Sequence, residues 1–243
     1  MRQRSLRPAI AMVELVFAIV IMAIVLFSAP QLINTATKSG FVAVQQEAIN
    51  EVSTHISMMM GYHWDENDTN ESFIDPILYV SNGDSNLSEF NSTGRRIGTP
   101  LTSQRSFIRS DGNTFWASNP LGIDTNDLNI TDDIDDFIGN RTLTFIDSNE
   151  NNVDYVESTT IIISTTVSYV TDTPTGGTYS DPGTDEKLVY SPTFTTTAPP
   201  TTNVKKINVT LTSSSGSIEL NKTIILKAFS CNIGAYSLEK RDF

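Results

Sequence analysis

The side chains that could do chemistry in this chain of 243 residues stand in a few small groups. Glu14 is a carboxylate inside the otherwise apolar stretch IAMVELVFAIVIMAIVLFSAP, residues 10–30. An ionised carboxylate is costly in lipid and calls for a partner, yet no Lys, Arg or His lies between Ile10 and Gln31. His55, Met59 and His63 recur at four-residue steps, which would bring soft ligands for copper or zinc to one helix face. The plainer reading, and the stronger, is a stripe of core methionines flanked by two histidines. Asp147, Asn149 and Asn151 alternate as the front half of a calcium loop does, but no glycine holds the sixth position and Ser158 stands where a bidentate Glu would close the loop. Asp65-Glu66-Asn67-Asp68 and the run from Asp124 to Asp136 supply further hard oxygen ligands for Ca2+. Such acid runs usually mean a solvated face, and that is the expectation here.

Catalysis finds no comparable footing. Two histidines and one cysteine offer no Cys–His pair, and HExxH, GxSxG and phosphate-binding loops are all missing from the sequence. The chain reads as a non-enzyme without a resident cofactor, the calcium candidates aside. Its formal net charge of −12 makes sequence-independent nucleic-acid binding a poor fit, since that needs Lys and Arg to displace counterions from phosphates. It fits a solvated surface outside the cytoplasm. Cys231 has no second cysteine to pair with and reads as a small buried residue in the run IILKAFSC. A domain of this kind must then be fastened by packing or by a bound ion.

The elements that would position these groups follow from periodicity. At about 1.5 Å rise per residue, a helix over residues 10–30 covers roughly 30 Å, the thickness of a hydrocarbon core. Arg2, Arg4 and Arg7 precede it without any acid, which holds the N-terminus in the cytoplasm and sends the rest outward. Beyond Pro30, Phe41, Val44, Ala48, Val52, Ile56 and Met59 repeat at steps of three and four, so residues 31–62 continue the helix as an amphipathic half. Bends are expected at Pro30 and Gly40. Residues 63–140 form a polar, loop-rich insertion with short strands at Ile77–Val80 and Thr114–Ala117, turns at Asn82-Gly83 and Asp111-Gly112, and a short helix over Asp132–Ile138 closed by Gly139. Residues 141–243 read as antiparallel sheet: Thr142–Asp147, Val153–Glu157, Thr159–Val170, Lys187–Phe194, Lys205–Ser213 and Ser217–Ser230, the last two forming a hairpin. Pro, Gly and Thr crowd the linkers TDTPTGGTYSDPGTD and TTTAPPTTN. The fold class is α+β, a long N-terminal helix packed on an antiparallel sheet.

Arg7-Pro8-Ala9 followed by Ile10-Ala11-Met12-Val13-Glu14-Leu15-Val16 resembles the N-terminus of type IV prepilins and type II secretion pseudopilins. The family usually has Gly before the cut and Phe after it, where this chain has Ala9 and Ile10. The resemblance covers about the first 30 residues. It implies that a leader peptidase removes residues 1–9 and methylates Ile10, and that Glu14 pairs with the new α-amino group of a neighbouring subunit. It also implies a pilin-like fold, anchorage in the inner membrane with the C-terminal domain in the periplasm, and assembly into a filament. The partners would be other pilin or pseudopilin subunits, the prepilin peptidase, the inner-membrane assembly platform and membrane lipid. Length and insertions favour a minor pilin or minor pseudopilin. The rival from a different class is a single-pass anchored binding or adhesion module that is neither processed nor polymerised.

Overall fold

A computed structural model describes residues 7–69, 74–89, 94–96, 105–109, 111–112, 117–122, 131–145, 159–173, 201–213 and 220–235. Helix α1, Arg7–Met59, runs for 53 residues and passes unbroken through Pro30 and Gly40, where bends were expected. Proline removes one backbone donor from a helix. In this region hydroxyls fold back onto the backbone: Ser28 Oγ donates to the Val25 carbonyl at 2.8 Å and Thr35 Oγ1 to the Gln31 carbonyl at 2.9 Å.

The second half of α1 packs as its periodicity requires. Ala48, Val52 and Met59 are buried, and Val44, Ile49 and Ile56 lie partly buried against the same core. Phe41 is only half-buried and lies outside this core, so the packed stripe starts at Val44 and ends, as the pattern does, at Met59.

The sheet is a four-stranded antiparallel meander: β1 Gly139–Phe145, β2 Thr159–Tyr169, β3 Val204–Ser213 and β4 Ile224–Cys231, in spatial order β1-β2-β3-β4. Alternation along β2 turns Ile161, Ile163, Thr165, Val167 and Tyr169 inward. Across the ladder Tyr169 faces Lys205, Val167 faces Ile207, and Ile163 faces Leu211. Lys205 therefore lies on the same face of β3 as Ile207, Val209 and Leu211, beneath the helix. The architecture is α+β, as expected from the order of patterns in the chain.

Several expected elements differ. Ile77–Val80 is not a strand: Tyr79 makes an isolated parallel bridge to Ala117, and the rest is irregular. Asp132–Ile138 holds only a short 3₁₀ helix, Asp135–Phe137, because Asp133 Oδ1 accepts from the Asp135 and Asp136 amides and fixes a tight turn. Gly139 does not simply close this helix but opens β1. The last hairpin strand is confined to Ile224–Cys231, with residues 220–223 outside the ladder. Cys231 is half-buried rather than buried. The strands expected at Val153–Glu157 and Lys187–Phe194 lie outside the described residues.

The insertion is fastened to the sheet by polar side chains. Asn232, buried at the end of β4, accepts the Leu78 amide at 2.9 Å and donates to the Leu78 carbonyl at 2.7 Å. Arg96 donates to the carbonyls of Leu87 and Asn232, both at 2.7 Å, and to Asn203 Oδ1 at 2.8 Å. Its guanidinium also lies 5.4 Å from the Phe107 ring centre. Asp172 accepts from the Asp84 amide and from both nitrogens of Asn203.

Candidate functional site

Among the described residues, two places hold groups whose environment asks for a chemical account. The first is the N-terminal half of α1. Met12, Leu15, Val16, Phe17, Leu26 and Phe27 are all more than half exposed, on every side of the helix. An 18-residue window here has a mean hydropathy of 2.7 and none of it is buried in the protein. This is one helix long and apolar enough to cross a membrane. A helix apolar all round requires lipid or other helices about it, and Glu14 is the charged side chain within that surface. Ala9 and Ile10 lie in helical backbone one turn before it.

The second place was not foreseen as a site. Lys205 is completely buried. Its ammonium contacts Asp135 Oδ1 directly, lies 3.5 Å from Asp65 Oδ2 and 3.9 Å from Asp133 Oδ2, and donates to the Trp64 carbonyl at 2.6 Å. The Trp64 and Tyr169 rings stand 4.7 Å and 5.6 Å from it. A parallel bridge between His63 and Asp133, with the Ile134 amide donating to the His63 carbonyl at 3.1 Å, brings the end of the helix and the acidic turn together over this lysine.

The carboxylates are held by backbone donors. Asp65 Oδ1 accepts from the amides of Asn67 and Asn119, and Asp135 Oδ2 from the amide of Gly122 at 2.8 Å. Burial, reinforced by the Asp135 charge, pushes Asp133 up to about 8. Burial also raises Asp65 above the usual carboxylate range, against the pull of Lys205. Nearby, Asp68 is pushed up to about 8 by burial and by the charges of Asp75 and Asp65, and its Oδ1 has no hydrogen-bond partner among the described residues.

The acid-rich stretches expected to form a solvated face therefore contribute Asp65, Asp68, Asp133 and Asp135 to the interior. The physical reason is Lys205, an internal cation around which three of them converge. The fastening expected of packing or of a bound ion comes, in this place, from packing around a lysine ammonium. The part of the acidic run at residues 124–130 lies outside the described residues, as do Asp147, Asn149 and Asn151. Among the described residues no group of three or more His, Cys, Asp and Glu is arranged to hold a metal.

His55, Met59 and His63 do not converge. Met59 is buried in the core, His55 Nε2 lies 3.3 Å from Thr165 Oγ1, and His63 Nδ1 pairs with Asp75 Oδ2 at 3.2 Å. Burial, with Arg141 close by, holds His55 below its ordinary value. One signal in the sequence did point to Lys205. In KKINVTL it shares the parity of Ile207, Val209 and Leu211, while Lys206 takes the outward one.

Comparison with known protein families, with curated proteins and with solved structures finds no match.

Proposed function

We propose that this chain is a pilin-like subunit, a minor pilin or minor pseudopilin of a type IV pilus or type II secretion system. It would be cut between Ala9 and Ile10 by a prepilin peptidase, N-methylated on Ile10, held in the inner membrane and then polymerised through α1. The observation that carries the reading is the division of labour within one helix: an apolar half exposed on all sides, with Glu14 inside it, continuing directly into a half packed on an antiparallel sheet. A plain anchor has no use for a carboxylate at that depth. In a filament, Glu14 of one subunit would meet the Ile10 amine of the next, and the exposed apolar surface would pass from lipid to neighbouring helices. The domain beyond residue 40 would then form the outer surface of the filament.

The test is Glu14→Leu in the full chain. The variant stays membrane-associated, because its helix is more apolar than before, but it disappears from sheared filaments and from subunit–subunit crosslinks. A Glu14→Leu chain that still enters filaments at the wild-type level contradicts the proposal. A wild-type chain never found with other subunits would favour the anchored binding module.

A further inference from the structure

We propose that Lys205 and Asp135 condense to an intramolecular isopeptide bond that ties β3 to the acidic turn preceding β1. The geometry brings the two reacting groups together without any further component. Lys205 Nζ is in contact with Asp135 Oδ1 and both residues are buried, so the amine is shielded from water and held against one carboxyl group. Such positioning replaces an encounter in solution by an intramolecular step, an advantage of up to about 10⁵–10⁸ M in effective concentration. The other oxygen, Asp135 Oδ2, accepts the Gly122 amide at 2.8 Å, where that donor stabilises the negative charge that develops as the carbonyl is attacked. Asp133 stands beside the pair: its Oδ1 is fixed by the amides of Asp135 and Asp136, and its Oδ2 faces Nζ from 3.9 Å. Burial raises this carboxyl to about 8, so it carries a proton near neutrality and can exchange it.

The step balances without an oxidant or a co-substrate. The ammonium passes one proton to Asp135 Oδ1, leaving a neutral amine and a neutral carboxylic acid. The nitrogen lone pair attacks Asp135 Cγ, and the C=O π electrons move onto Oδ2. Asp133 takes a second proton from nitrogen and delivers one to Oδ1. The Cγ–Oδ1 bond breaks, water leaves, and an amide N–H remains. The rings of Trp64 and Tyr169 exclude solvent from the product. With Cys231 the sole cysteine, such a bond would serve where a disulfide cannot.

The experiment is tryptic mapping of the full chain, purified in detergent and shown to melt cooperatively before it is denatured. An unlinked chain is cut after Lys205 and releases residues 110–141 and 188–205 separately. A linked chain resists cutting at Lys205 and yields one branched peptide of residues 110–141 and 188–206, lighter by one water than its two arms. We expect the branched peptide to dominate in the wild type, to vanish in Lys205→Arg, and to form at least about tenfold more slowly in Asp133→Asn, in line with the loss of a proton relay. Recovery of residues 188–205 with an unmodified Lys205 as the main product from folded wild-type protein overturns the proposal and leaves an ion pair only.

Discussion

The ammonium of Lys205 lies 4.7 Å from the centre of the Trp64 ring while donating to the carbonyl of that same residue at 2.6 Å. Trp64 stands one turn past the end of the helix that carries the apolar stem, and Lys205 sits in an inner strand of the sheet. One side chain thus joins stem, sheet and acidic turn.

Removing it leaves Asp65, Asp133 and Asp135 buried without their cation. Relative to Lys205→Arg, which keeps the charge but cannot condense with Asp135, Lys205→Ala should therefore destabilise the domain by about 3–5 kcal/mol, the usual consequence of breaking a buried charge cluster from one side. Thermal or urea unfolding of the detergent-solubilised chain checks this. A loss below about 1 kcal/mol would mean that the acids find water or protons at little cost.

Stability should also fall as pH rises. Asp68 is raised from 3.8 to about 8, so the folded chain keeps a proton that the unfolded chain gives up. Below the ordinary carboxylate range both states are protonated and the contribution is fully present; it is lost between about pH 4 and pH 8, as the folded group finally ionises. Asp133 acts in the same direction. Asp68→Asn should flatten the profile and raise the melting temperature at pH 8 relative to wild type. An unchanged slope in that variant would rule out Asp68 as its source.

Gly83 has no room for a side chain. A Cβ there would lie 2.5 Å from Val80 Cγ2 and 2.6 Å from Asn203 Nδ2, the nitrogen that donates to Asp172. Gly83→Ala should cost about 1–3 kcal/mol by overpacking and loosen the hold of the insertion on the sheet. Hydrogen exchange at the Asp84 and Asn203 amides, both bonded to Asp172, reads that loosening directly.

Arg96 joins three segments through one planar guanidinium, which an ammonium cannot imitate. Arg96→Lys should lose about 3–6 kcal/mol, since charged hydrogen bonds are each worth about 1.5–3 kcal/mol and two of the three are lost. Arg96→Lys melting as wild type would show that these bonds are replaced by water.

Much of the fold was legible because period and composition agreed. Val44, Ala48, Val52, Ile56 and Met59 could only be one face of a helix, and the β-branched run from Thr159 could only be a buried strand. The charged interior was less legible. Asp65, Asp133 and Asp135 look like surface acids until β3 is placed in register, because only the Tyr169–Lys205 pairing reveals that a lysine lies beneath them. The parity of Lys205 was readable, but a lysine at a strand end is ordinarily solvated. Isolated contacts such as Tyr79 with Ala117 carry no periodic signal at all.

Assembly through α1 requires that the stem be processed, and the most direct measurement is the N-terminal residue and mass of the protein recovered from membranes. An N-methylated Ile10, with residues 1–9 gone, is the predicted result. An intact Met1 with Arg2, Arg4 and Arg7 still attached would contradict it and leave Glu14 in an anchor that has no need of it.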